Sequence, residues 1–333
     1  MHSVDVFDRL REFEILSHLD GELLDLLASC TSPVTYETDS MVIQEGEKSQ
    51  DIYFVDRGEI DIQRNTPYGR YTLAKLEGGA VFGETSFIDR HARSGDARAA
   101  SDSVLFPISA SALRPLIREN QRFSLALHWA LWKSLSQKLR KTNEVLANFF
   151  AKGGTKRTED RDASQKGGDF KVGIGAKRDL FREQTLSPME INFLSTLSKE
   201  KKVAAGEYIF REGEKGDRLY VVLEGRVMIS KEIVGSGEEA LAFLERGDYF
   251  GEMALIDKQP RSADAKAADD GTVVLMISSE VLEGILDIQK VSSLRLLTIL
   301  SGLIAKRLRE IDDKLVGWYI FSAGSGESLG LPG

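Results

Sequence analysis

In 333 residues the chain holds one cysteine, four histidines and three tryptophans, and no long apolar run. Each scarcity removes a class of chemistry. Cys30 alone cannot close an intramolecular disulfide, and this cysteine usage fits a reducing compartment. The histidines (His2, His18, His91, His128) lie scattered without metal-ligand spacing, so no metal site is expected. No uninterrupted apolar stretch approaches the roughly 18 residues a membrane span needs, and Met1–Leu10 is mixed and charged rather than signal-like. A cytoplasmic location is the expectation. Excess positive charge is lacking as well: a formal net charge of −8 and a pI near 5.3 argue against a general nucleic-acid surface. No Gly-Lys-Ser/Thr phosphate loop occurs, and no catalytic constellation stands out, so the chain is expected to bind rather than to catalyse.

What is present is repetition. The segment Phe82–Ala100 recurs as Phe250–Ala268 with eleven of nineteen residues identical, where unrelated segments share roughly one. Glu45-Gly46-Glu47-Lys48 recurs as Glu212-Gly213-Glu214-Lys215, a separation of 167 residues, and Tyr53 and Gly58 recur at the same separation as Tyr220 and Gly225. Phe82 and Phe250 are 168 apart, and Leu139 and Leu308 are 169 apart. Only single-residue length changes have therefore accumulated between two modules of about 150 residues, a comfortable domain size.

Within each module the hydrophobic period changes. Leu19, Leu23, Leu26 and Leu27 fall on one helical face behind Asp20, a suitable N-cap. Leu186–Leu194 repeats the pattern, with Ser187 as cap and Pro188 at the first helical position. The period then shifts toward two. Met41–Gln44, Ile52–Val55 and Glu59–Gln63, with Tyr208–Phe210, Leu219–Leu223 and Arg226–Ser230, read as short strands between glycine turns, which predicts a small antiparallel barrel or sandwich. Phe123–Phe150 and Val291–Trp318 return to helical spacing. Residues 152–169 carry one apolar side chain, Ala163, and two Gly-Gly pairs, and read as a flexible linker between a domain at 1–151 and a second at 170–318. Residues 319–333 read as a Gly- and Ser-rich tail.

The repeated segment has a chemical logic. A short helix opening at Gly83 or Gly251 presents free backbone N–H groups, and glycine lets an anion approach them. Arg93 and Arg261 follow ten residues later in both copies, close enough in sequence for the chain to fold back and aim a guanidinium at the same anion. Glu84 and Glu252 would be repelled by a phosphate and need another task, which a sugar hydroxyl supplies. A ligand with both phosphate and ribose fits. Asp89 and Asp257 read as helix-end residues, Gly58 and Gly225 as turn glycines, and His91 as an exposed loop residue.

The pattern F-G-E-x-[SA]-[LF]-I-x-x-x-x-R-[SA], preceded by E-G-E-x-x-x-x-[IL]-Y-x-[VI]-x-x-G, resembles the phosphate-binding cassette of cyclic nucleotide-binding domains. This is the module of cyclic AMP-dependent protein kinase regulatory subunits, catabolite-activator-type regulators and cyclic nucleotide-gated channels. The resemblance implies an α+β chain of two tandem antiparallel β-barrel, jelly-roll-like domains, each flanked by helices. It implies that Arg93 and Arg261 bind the cyclic phosphate, that Glu84 and Glu252 bind the ribose 2′-hydroxyl, and that Gly83, Thr85, Ser86, Gly251, Met253 and Ala254 line the phosphate. Ser94 and Ser262 follow the arginines and would touch phosphate or base; serine there favours cyclic AMP over cyclic GMP. Trp129, Trp132, Trp318 and Tyr319 are candidate lids over the base, with none singled out.

Around these modules the outputs familiar from the family are missing. About fifteen residues follow Trp318, too few for a DNA-binding domain, and about twelve precede the first module, too few for a docking helix and inhibitory segment. The expectation is a non-enzymatic sensor with two sites, without metal or cofactor, DNA contact or membrane anchorage, signalling through its long helices to a partner protein. A regulatory subunit of a kinase or other enzyme, and a scaffold or dimerisation protein without nucleotide response, stay open as alternatives, as does a homodimer.

Overall fold

The computed structural model describes residues 3–151, 172–184, 186, 188–233, 237–285 and 294–325. The expected linker at 152–169, the cap Ser187 and the end of the tail lie outside them. The chain divides into two compact units. Among the described residues, one comprises those up to Leu135 together with 304–325, and the other those from Ser136 to Leu303.

The first unit opens with α1 (Ser3–Arg11), a 3-10 turn at Glu14–Leu16 and α2 (Gly21–Ala28). Asp20 caps α2 as expected, its Oδ1 accepting from the Leu23 N–H at 3.1 Å. Eight strands follow: β1 (Val34–Tyr36), β2 (Met41–Ile43), β3 (Ile52–Arg57), β4 (Glu59–Thr66), β5 (Gly69–Glu77), β6 (Val81–Phe82), β7 (Asp96–Ala99) and β8 (Ser103–Ile108), with α3 (Glu84–Asp89) between β6 and β7. They form two antiparallel sheets with strand orders β1-β8-β3-β6 and β2-β7-β4-β5, a jelly-roll arrangement. Ile43, Val55, Ile60, Leu76, Phe82, Ala97 and Leu105 fill the space between the sheets. Behind β3 and β8, Phe54, Phe106 and Ile108 pack on Leu23, Leu27, Leu113 of α4 (Ala110–Glu119) and Phe123, Leu127 and Leu131 of α5 (Gln121–Ala151).

The second unit repeats the plan. After α6 (Ile174–Glu183) and α7 (Pro188–Leu197) come β9 (Lys199–Val203), β10 (Tyr208–Phe210), β11 (Arg218–Glu224), β12 (Val227–Ile233), β13 (Gly237–Leu244), β14 (Tyr249–Phe250), α8 (Met253–Asp257), β15 (Asp264–Ala267), β16 (Thr272–Ser278), α9 (Ser279–Ile285) and the start of α10 (Leu294–Ser325), which belongs to the first unit from Ile304 onward. Its sheets run β9-β16-β11-β14 and β10-β15-β12-β13, the first unit's order advanced by eight strands. Val203, Phe210, Tyr220, Val222, Val227, Phe250 and Val274 build its core.

Two expectations change. Strands β4, β11 and β12 run a few residues beyond the expected limits. More consequentially, α10 continues through Ser325, so residues 319–325 are helical and not part of a tail. In the first unit Tyr319 stacks on Tyr71, with ring centroids 4.8 Å apart and planes at 27°, and Ser322 is buried. This packing overrides the weak helix propensity of Gly324 and Ser325. Among the described residues no helix is long and apolar enough to cross a membrane.

On α5 the ring of His128 meets the Ser124 carbonyl at 2.7 Å, and burial lowers its pKa from the ordinary value. His18, its ring 5.5 Å from that of Trp129 and tilted at 39°, has its pKa lowered by burial and then by Lys133. The folded state thus resists protons that the unfolded chain accepts below about pH 6.5. Stability held in full above that pH is lost as pH falls through the lower folded values. Thermal melts between pH 7.5 and 5 should show a falling midpoint, and His128→Asn should flatten the slope in part, the remainder belonging to His18.

Candidate functional site

Each cassette is built around a buried arginine. In the first unit β6 delivers the chain to Gly83, which stands at φ +84°. A Cβ there would lie 2.5 Å from the Asp51 carbonyl oxygen and 2.8 Å from Nη1 of Arg93, so only glycine fits. The helix α3 starts one residue later, at Glu84. Arg93 returns beside the Glu-Gly-Glu-Lys turn: the Gly46 N–H donates to the Arg93 carbonyl at 3.0 Å, and the Arg93 N–H donates to the Glu47 carbonyl at 2.9 Å. Buried Asp96 pins that turn through the Glu45 N–H at 2.7 Å. The two repeated motifs are therefore one structure. Arg93 is 4% exposed, and all three guanidinium nitrogens donate: Nη1 to the Gly83 carbonyl at 2.9 Å, Nη2 to the Asp51 carbonyl at 2.8 Å and Nε to Ser49 Oγ at 3.0 Å. Burial lowers its pKa, opposed by Tyr53, Asp51, Glu47 and Glu84. The Tyr53 hydroxyl, buried and facing Asp51, is pushed up to about 12.

The remaining candidates of the first site are spread around this core. Glu84 is fully buried, and its Oε1 accepts from Ser134 Oγ of α5 at 2.8 Å. Ser86 is buried, with its hydroxyl donating to the Ala92 carbonyl at 3.4 Å, while Thr85 and Ser94 are half-buried.

The second unit repeats the cassette with altered detail. Gly251 stands at φ +79°, and α8 begins at Met253, two residues later than Gly251 and one position later than α3 in the aligned copy. The Gly213 N–H donates to the Arg261 carbonyl at 2.9 Å, the Arg261 N–H donates to the Glu214 carbonyl at 2.8 Å, and Asp264 accepts from the Glu212 N–H at 2.6 Å. Arg261, again 4% exposed, donates from Nη1 to the Gly251 carbonyl at 2.5 Å and from Nη2 to the Arg218 carbonyl at 2.9 Å. Its guanidinium carbon stands 4.3 Å from the centroid of the Phe210 ring. Burial lowers its pKa, opposed by Tyr220, Glu252, Asp217 and Glu214. Glu252, Met253 and Ala254 are buried, and the Ser262 hydroxyl meets Met253 Sδ at 3.6 Å.

Two arginines escaped the sequence reading. In the first unit Arg309 of α10 grips the end of α3, with Nε 2.5 Å from Asp89 Oδ2 and Nη2 3.1 Å from Oδ1 and 3.2 Å from Ser86 Oγ. In the second unit Arg140 of α5 grips the end of α8, with Nε 2.8 Å from Asp257 Oδ2 and Nη1 2.9 Å from the Pro260 carbonyl. The pairs are equivalent: Arg140 and Arg309 directly follow Leu139 and Leu308 at the same separation of 169 residues. Asp89 and Asp257 are helix-end residues as read, and each is the anchor of a clasp.

Breaking either clasp strands a partly buried carboxylate. Arg309→Ala should destabilise the first unit, and Arg140→Ala the second, by about 1–3 kcal/mol in urea titrations, with hydrogen exchange accelerated in α3 and α8 respectively. The residues closing these helices, Arg90 at φ +60° and Lys258 at φ +55°, occupy the left-handed region in which side chains are strained. Arg90→Gly and Lys258→Gly should each raise stability by about 0.5–1 kcal/mol in the same titrations.

The cyclic nucleotide-binding domain family model matches residues 33–120 and 200–289, together more than half of the chain. Among curated proteins, the chain is 26% identical over 274 residues to the cGMP-dependent protein kinase egl-4 of Caenorhabditis briggsae, covering 82% of this chain and 30% of the kinase. It is 26% identical over 256 residues to the cAMP-dependent protein kinase regulatory subunit of Dictyostelium discoideum, covering 75% of this chain and 64% of that protein. It is 33% identical over 130 residues to the cyclic AMP receptor protein of Thermus thermophilus, covering 39% and 58% respectively. The chain thus spans less than two thirds of the length of these relatives. With two jelly rolls, two cassettes and two family matches in register, the chain belongs to the cyclic nucleotide-binding domain family and carries two such domains in tandem.

Proposed function

We propose that the chain is a non-catalytic cyclic nucleotide sensor with two sites, taking cyclic AMP in preference to cyclic GMP and passing occupancy through its long helices to a partner protein. The supporting observation is the pair of buried arginines, Arg93 and Arg261, each tied to the carbonyl of the cassette glycine ten residues earlier. A cation that burial disfavours, held next to a glycine that lets a ligand approach, is suited to a singly charged phosphodiester. Gly83, Glu84, Thr85, Ser86, Arg93 and Ser94 form the first site in this reading; Gly251, Glu252, Met253, Ala254, Arg261 and Ser262 form the second.

Glu84 supports a route from ligand to helix. Its carboxylate holds the Ser134 hydroxyl of α5 at 2.8 Å, and a ribose hydroxyl is a donor of the same kind. Ligand hydroxyl and Ser134 then share one carboxylate, and a difference in affinity between the arrangements of that carboxylate shifts α5. In the first unit Arg309 ties α3 to α10, so a moving cassette helix pulls on a second lever. In this reading Tyr319, stacked on Tyr71 of β5, is the lid candidate for the first site, its stack on the barrel being the support.

Kinase regulation is the second reading, supported by similarity to a kinase regulatory subunit and to a cyclic GMP-dependent kinase. Pull-down with and without cyclic nucleotide separates it from a ligand-free scaffold. Calorimetric titration with cyclic AMP should give two binding events in the wild type and one in each of Arg93→Ala and Arg261→Ala, with the lost site weakened about a hundredfold or more. Full stoichiometry in either variant sinks the assignment. A thermal-shift comparison of cyclic AMP, cyclic GMP, linear AMP and cyclic dinucleotides ranks the ligands.

A further inference from the structure

The two arginines are held differently, and the difference traces to one residue pair. Ser49 and Gly216 occupy the same position of the repeat, just after Glu-Gly-Glu-Lys. In the first unit Ser49 Oγ accepts the Nε–H of Arg93 at 3.0 Å. In the second unit Gly216 offers no side chain, and the buried Nε of Arg261 has no hydrogen-bond partner among the described residues. The residue facing the Arg261 guanidinium also differs from its counterpart in the first unit. Ile43 in the first unit corresponds to Phe210 in the second, and Phe210 lies 4.3 Å from the Arg261 guanidinium carbon. Both arginines donate from Nη1 and Nη2 to backbone carbonyls, but Arg93 is also held at Nε, whereas Arg261 has an aromatic ring on its face and its Nε–H unpaired.

A guanidinium recognises two oxygens of a phosphate through two parallel N–H bonds, and the Nε edge supplies one such pair. A buried cationic donor left unpaired carries a desolvation cost that an anion relieves on binding. In the first site the same edge is already satisfied by a neutral hydroxyl, which the phosphate must displace.

We propose that Ser49 and Gly216 set unequal affinities, making the second cassette the tighter phosphodiester site and the first the weaker, with Ser49 a positioning residue that acts through Arg93. This rests on the reading of both cassettes as cyclic nucleotide sites.

The full chain isolates each site when the other arginine is removed. Arg93→Ala leaves the second site and Arg261→Ala leaves the first. Calorimetry with cyclic AMP, repeated with cyclic GMP, should show the second site tighter by about tenfold or more. On the Arg261→Ala background, Ser49→Gly and Ser49→Ala should tighten the first site toward the second, and Ser49→Thr, which keeps an acceptor, should leave it unchanged. Tightening is a gain that damaged packing does not produce. Ser49 carries the test because a Cβ added at Gly216 would collide with the Cβ of Ala254 and lie 2.9 Å from the Arg261 guanidinium carbon. Equal sites, a tighter first site, or weakening by Ser49→Gly and Ser49→Ala overturns the inference while leaving the sensor reading intact. Failure of both single-arginine variants and of the wild type to bind either nucleotide overturns the sensor reading, and this inference with it.

Discussion

A guanidinium buried against backbone carbonyls organises each unit. Taking such a cation out of water is costly unless its donors are met with good geometry, and the surrounding structure is arranged to meet them. The carbonyls of Gly83 and Asp51 in the first unit, and of Gly251 and Arg218 in the second, point at the same two nitrogens. For the glycine carbonyl to reach its arginine, the chain must turn through a positive φ where no Cβ fits, which places a glycine turn between β6 and α3 and between β14 and the start of α8. For the arginine backbone to sit beneath it, the Glu-Gly-Glu-Lys turn pairs with it on both sides. Paired aromatic rings, Tyr53 on Phe82 at 5.0 Å and Tyr220 on Phe250 at 5.1 Å, form the floor of each turn.

The second constraint is the short cassette helix itself. Six residues in α3 and five in α8 are too few to be stable alone. Each is fixed at its start by the glycine turn and at its end by an aspartate gripped from a long helix, Arg309 on Asp89 in the first unit and Arg140 on Asp257 in the second. An element anchored at two points, one at the candidate ligand and one at a helix of about 30 residues, is suited to converting a local displacement into a movement of that helix. The strained left-handed residues at both helix ends, Arg90 and Lys258, are the local cost of directing the aspartates into the clasps.

Most of the fold was legible because duplication supplied two readings of each element. Asp20 as a cap, the strand cores of β2, β3 and β10 and the leucine faces of α5 and α10 followed from periodicity. Residues 319–325 did not, because Ala-Gly-Ser reads as loop and only the Tyr319–Tyr71 stack and buried Ser322 keep it helical. The Gly-to-Arg spacing announced the centre of each cassette, whereas the clasp arginines were hidden among other charges on long polar helix faces. Their signal was present: Leu139-Arg140 and Leu308-Arg309 align in the same repeat that located the helices. What periodicity could not convey is that the partner of each arginine lies more than 100 residues away.

The differences between the copies are informative because the common frame holds everything else fixed. Ser49 bonds the Arg93 guanidinium where Gly216 has no side chain to offer Arg261, and Phe210 faces the Arg261 guanidinium where the aligned residue is Ile43: an edge hydrogen bond in one unit, an aromatic face in the other. Either arrangement steadies a buried cation, but they consume different parts of it, since an aromatic ring beneath the plane leaves in-plane donors available and a hydroxyl does not. A duplicated module can thus keep its glycine, glutamate and arginine in both copies and still diverge, through residues that touch the arginine from outside the motif. Ser134 extends this to the glutamate: the hydroxyl that meets Glu84 in the first unit aligns with Leu303, which has no donor, in the second. The two sites share their central residues and differ in what holds each arginine.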